Sequence, residues 1–187
     1  MDGRKLLVPM IVALIVVSAV PVALYAQGNS SEDVSFTIIH TNDTHCFHEG
    51  DGGVGFPAVS ALRNQYSAKG TVFTVDAGDF LQGISYETIP KGERSVEIMN
   101  TVGYDLCVPG NHEFDFGFDV FLERTQQLDF PIICANLVYA ETGESVFDEY
   151  LILERGGARV GFFGLLTEET PTTTMKGNMG PADVTDP

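Results

Sequence analysis

Three short polar clusters in this chain carry residue types that bind divalent cations: Asp43-Thr44-His45, Gly78-Asp79 and Gly110-Asn111-His112-Glu113, with Asp115 close behind. Carboxylate oxygen, imidazole nitrogen and amide oxygen all suit borderline or hard divalent ions. Asp43 and His45 stand two residues apart, so from an extended segment both can face one metal. Asp79 can place one oxygen on each of two ions about 3.5–4 Å apart, and Asn111 can offer a neutral oxygen to the second. Gly78 and Gly110 lack a Cβ, which lets the backbone turn sharply beside the ions. No sulfur-rich set accompanies them, which argues against a structural zinc site. His112 and Asp115 are three apart. A carboxylate on one ring nitrogen fixes the tautomer and favours the imidazolium, leaving the other nitrogen for a phosphoryl oxygen or a leaving group.

Each cluster follows a segment that reads as a strand: Val34–His40, Thr71–Val75 and Asp105–Val108, all rich in β-branched and apolar residues. A fourth strand is expected at Pro131–Ala135. Helical spacing of apolar residues predicts helices over Phe56–Tyr66 (Phe56, Val59, Leu62, Tyr66), Ser95–Val102 and Val120–Leu128. Tyr150–Glu154 and Arg159–Leu165 flank Gly156-Gly157, a hairpin signature. Strands alternating with helices indicate an α/β architecture with a mostly parallel sheet. In such sheets ligands collect beyond the carboxyl ends of the strands, so the three clusters should share one rim. The tail Thr167–Pro187 is rich in Thr, Gly and Pro and shows no strong pattern.

The N-terminus is a separate matter. Arg4 and Lys5 precede an uninterrupted apolar run from Leu6 to Ala26, and Ala26-Gln27-Gly28 offers a small-x-small exit. Residues 1–28 therefore read as a cleaved export signal or as an N-terminal anchor, since about 20 apolar residues suffice to span a bilayer. Both readings place residues 29–187 outside the cytoplasm, in the periplasm, at the cell surface or secreted. The formal charge of −16 excludes a basic nucleic-acid groove. Three cysteines, Cys46, Cys107 and Cys134, cannot all pair internally. Cys107 and Cys134 lie in apolar runs and read as buried thiols, with a bridge between them left open.

The segments FTIIHTNDTH (Phe36–His45), TVDAGDFLQG (Thr74–Gly83) and VPGNHEFDFG (Val108–Gly117) resemble the calcineurin-like metallophosphoesterases. Within them they are most similar to the 5′-nucleotidases, with their UDP-sugar hydrolase and 2′,3′-cyclic-nucleotide phosphodiesterase members. CANL (Cys134–Leu137) and VGFFGLLTEETP (Val160–Pro171) extend the resemblance. It implies a layered α/β/β/α sandwich with mixed sheets, incomplete here at the C-terminus, and two divalent metal ions such as zinc or manganese. Asp43 and His45 would hold the first ion, Asp79 would bridge, and Asn111 would bind the second. His112 and Asp115 would form the catalytic dyad, with Asn111 and His112 meeting the substrate, a nucleotide or another small phosphate ester. The family completes its site with histidine motifs further on, and no histidine follows His112 in this chain. The rival expectation is therefore a truncated, catalytically inactive portion with at most partial metal binding. Cys46 stands where the family often has Gly.

Plainer roles fit the remaining residues of interest. His40 reads as a core or supporting residue, His48 as solvated in its loop, and Cys46 as a small packed side chain. Glu113 can orient its loop, and Asp76 can support the site from behind. The Phe114–Phe118 aromatics read as core.

Overall fold

The structure, a computed structural model, describes residues 33–46, 55–83 and 90–186. The expected signal or anchor and His48 lie outside these residues.

Strand β2 (Thr71–Asp76) is buried from Val72 to Asp76, as a strand covered on both faces must be. Strand β1 (Phe36–Thr41) runs parallel to it, in register from Phe36↔Thr71 to Thr41↔Asp76. Strand β3 (Leu106–Cys107) joins the other side in parallel through Val75↔Leu106 and Asp76↔Cys107. Against one face of this sheet lies an antiparallel hairpin, β5 (Tyr150–Arg155) and β6 (Ala158–Phe163). Phe73, Val75, Leu106 and Ile133 pack there on Ala158, Val160 and Phe162. Gly156 and Gly157 turn the hairpin at φ 57° and 79°, the doubly left-handed geometry that two-residue hairpins favour. Arg155 ties the turn to the sheet, donating to the Val72 carbonyl and pairing with Asp105.

Helices α1 (Phe56–Ser67), α2 (Glu93–Val102) and α3 (Phe118–Thr125) supply the second core. Phe56, Val59, Val96, Met99 and Phe121 meet there with Phe80, Leu81 and Phe114. Helix α2 stops at Gly103, left-handed at φ 81°, whose N–H returns to the Met99 carbonyl at 3.0 Å. A third sheet pairs β4 (Leu137–Tyr139) antiparallel with β7 (Ala182–Val184). The whole is a layered α/β sandwich with parallel and antiparallel sheets.

Several expectations are corrected. Leu62 and Tyr66 are exposed on α1, because a step of six residues carries Leu62 about 120° round from Phe56. Helix α3 begins at Phe118, straight after Gly117 at φ 91°, and is over by Thr125. Residues 131–135 form no continuous ladder. Their N–H groups go to Cys107 (from Ile133), Asp148 (from Cys134) and Gly164 (from Ala135), so the segment splits its bonds among three neighbours. The tail is ordered by a helical turn, Thr170–Thr173, and by β7, both too short for periodicity to register. His40 is exposed on the edge strand β1 and takes no core position. All three cysteines are buried, and Cys107 and Cys134 are not bridged. Phe114 and Phe118 are core residues, as the sequence indicates.

Candidate metal centre

The three strands of the parallel sheet end together, and their following loops are stitched by backbone hydrogen bonds. Asp43 N–H donates to the Gly78 carbonyl at 2.9 Å and His45 N–H to the Asp79 carbonyl at 2.8 Å. Val108 N–H reaches the Asp76 carbonyl at 2.9 Å, and His112 N–H reaches Asp79 Oδ1 at 2.9 Å. The shared rim expected from strand order is thus realised.

Glycine is required where two of these loops cross. A Cβ on Gly78, at φ 102°, would lie 2.3 Å from the Gly110 nitrogen. A Cβ on Gly110 would lie 2.2 Å from Asp79 Oδ1. Gly110 itself has φ −100°, so close approach rather than a turn explains it. Asp43 and His45 do not lie in the extended segment that their spacing suggested, and Cys46 beside them is not extended either. Their φ values are 50°, 44° and 58°, and Asp79 has 60°. Four non-glycine residues in the left-handed region around one rim mark a functional constraint. Asp43 and His45 nonetheless converge, with His45 Nε2 3.9 Å from Asp43 Oδ1.

The ligand atoms of His45, Asp79 and His112 lie within 4.8 Å of one another. His45 and His112 meet edge to face, ring centres 5.1 Å apart. His45 Nδ1 sits 3.2 Å from the Gln82 carbonyl. That contact suits a protonated Nδ1, which leaves Nε2 with a free lone pair, the usual arrangement behind a ligating histidine. Burial raises the Asp79 carboxyl above its ordinary range, against the opposing pull of the His112 N–H and both imidazoles. A cation set among these groups would compensate that buried charge. The donor set therefore fits a divalent ion, and it forms one cluster among the described residues.

His112 Nδ1 and Asp115 Oδ2 are 2.7 Å apart, the dyad the spacing anticipates. Burial lowers the imidazole pKa, and the Asp115 carboxylate, helped by Asp79 and Glu113, outweighs it, so the net shift is upward. Asn111 opens a short 3₁₀ turn, Asn111–Phe114, beside Gly110. Cys46 is packed without exposed surface, its thiol 3.2 Å from the Phe80 carbonyl.

Two supporting residues exceed what spacing indicated. Glu113 is wholly buried and accepts four backbone N–H bonds, from Asp79, Phe80, Leu81 and Gly110. Asn178, unremarked in the sequence, donates to the Asp115 carbonyl at 2.9 Å and accepts from Phe118 N–H at 2.8 Å. A single Asn in a Gly-rich tail carries no pattern that would have found it.

The calcineurin-like phosphoesterase family matches residues 36–177, and the chain belongs to that family. It is 29% identical over 168 residues to a 5′-nucleotidase of Vibrio parahaemolyticus, covering 86% of this chain and 30% of that protein. It is 31% identical over 141 residues to protein UshA of Escherichia coli, covering 72% of this chain and 26% of that protein. The crystal structure of a 5′-nucleotidase precursor from Thermus thermophilus superposes with a TM-score of 0.70 at 29% identity, covering 80% of this chain and 32% of that one. The chain thus spans about 30% of the length of these relatives.

Proposed function

We propose that the chain forms the metal-holding rim of a 5′-nucleotidase-like hydrolase that acts outside the cytoplasm on phosphate esters of nucleotides or related small molecules. The observation that carries this reading is the convergence of His45, Asp79 and His112, with Asp43 3.9 Å from His45, on the rim where three parallel strands end. In this reading Asp43, His45 and Asp79 would hold one ion, and Asn111, with Asp79, would serve a second. Bound divalent ions supply Lewis-acid polarisation of the phosphoryl group and an activated water. The protein's own part is narrower. Asp115 orients the His112 ring and favours its protonated form, so that the other ring nitrogen can donate to a phosphoryl or leaving-group oxygen. Asn111, next to His112 in the chain, would meet the same ester in this reading. No helix of the described residues is long and apolar enough to cross a membrane. Residues 1–28 would supply the export signal or anchor in this reading.

One observation favours a second reading, in which the 187-residue chain by itself holds a metal without turnover: the described residues gather a single His/Asp cluster. The test grafts residues 36–177 into the E. coli UshA frame and measures phosphate release from AMP and a 2′,3′-cyclic nucleotide with Mn²⁺. Metal-dependent release should fall by at least about 100-fold in D79N, on the scale of losing one electrostatic stabiliser of the reaction. Release that survives D79N with full metal content would remove Asp79 from the site and the reading with it.

A further inference from the structure

Glu113 joins two loops of the rim through its carboxylate alone. Oε1 accepts from Phe80 N–H at 2.8 Å and Leu81 N–H at 3.1 Å. Oε2 accepts from Asp79 N–H at 2.7 Å and Gly110 N–H at 2.6 Å. An ionised carboxylate has about four acceptor positions, and all of them are taken. Four N–H groups from two loops thus converge on one side chain, which clasps the loops together. Glu113 is fully buried.

The consequence falls on Asp79. Its N–H is held by Glu113, its Oδ1 by the N–H of the neighbouring His112, and its backbone stands at φ 60°. Aspartate reaches that region only with support. Because Glu113 also holds Gly110, it sets the spacing between the loop that carries Asp79 and the loop that carries Asn111 and His112. Its own oxygens are fully occupied and cannot ligate.

We propose that Glu113 is a positioning residue that locks Asp79 in its ligating conformation beside Asp43 and His45, and so sets the cation affinity of the rim. This rests on the metal reading above. The test is calorimetric titration of the full chain with Mn²⁺ alone, comparing wild type, E113Q, E113D and D79N. E113Q keeps the size but offers one acceptor oxygen to four donors. It should weaken Mn²⁺ binding about 10–100-fold, the loss usual for partners behind a metal ligand, with the far-UV circular dichroism unchanged. E113D keeps the charge but is one methylene short of spanning both loops, and should recover part of the affinity. Wild-type affinity in E113Q, alongside lost affinity in D79N, would overturn the proposal and leave the metal reading standing. A wild-type chain that binds no Mn²⁺ would overturn both. If E113Q does not fold, amide hydrogen exchange on the metal-free wild type decides the matter. Joint protection of the Asp79, Phe80, Leu81 and Gly110 N–H groups supports the strut, and exchange at open-loop rates overturns it.

Discussion

Asp76 holds a proton in the folded chain that it releases when unfolded. Burial pushes its carboxyl from 3.8 to about 8, against the hydrogen bonds it makes with Thr41 and Gly78 and with the charges of Glu113 and Asp79 adding to the rise. Tyr104 and Cys107 also face it, both raised by burial and therefore uncharged near neutrality. Between pH 4 and 8 the native state thus binds more protons than the unfolded state, and stability falls as pH rises across that window. D76N is neutral throughout and can still accept from Gly78 and donate to Thr41. In metal-free buffer its melting temperature should drop less than the wild type's between pH 5 and pH 8, by thermal circular dichroism at both values. Equal drops would mean that Asp76 is ionised in the native state. At this scale the sequence was informative wherever chemistry restricts residue type: Asp43, His45, Asp79, His112 and Asp115 stood out because few side chains suit a cation, and the structure brings them to one rim. The four bonds of Glu113 were not readable, since an acceptor for backbone N–H groups imposes no spacing on the chain.

Helices and long strands could be read because they repeat. Phe56–Ser67, Thr71–Asp76 and the glycine-turned hairpin came close to their predicted bounds, β2 through its continuous β-branched and apolar run and the hairpin through its glycine turn. The three-residue strands β4 and β7 lie below any such period, and the tail's role was missed with them. That role is to brace the dyad loop. Asn178 brackets residues 115–118 from both sides, and a Cβ on Gly180, at φ 57°, would come within 2.9 Å of Phe118 Cβ. The β4–β7 pairing and Asn136 hold the tail in place, the Asn136 amide donating to the Leu166 carbonyl at 2.8 Å and its oxygen accepting from Leu166 N–H at 2.9 Å. N178A removes one side-chain bond, worth about 1 kcal/mol net. For a chain of this size that is a fall of about 2–4 °C in melting temperature, measurable by calorimetry. An unchanged melting temperature would show that the backbone bond from Phe118 braces the loop unaided.

At the scale of the molecule, the parallel sheet delivers three loops to one rim, and the layers on its two faces hold that rim rigid. The rim itself remains open: the Asp43 side chain is 59% exposed and that of His112 is 36% exposed. Electrostatic stabilisation of a reacting phosphoryl group is strongest in a water-excluded site, and this rim is wet. A two-ion clamp also needs more protein ligands than one cluster of three with Asp43 and Asn111 beside it. Residues 29–187 produced alone should therefore bind one Mn²⁺ per chain tightly and release phosphate from AMP far below the ~1–10³ s⁻¹ of ordinary enzymes. Metal content after gel filtration and phosphate release on the same sample measure both. Two tightly held ions with turnover in that range would show that this third of the relatives' length builds a complete site.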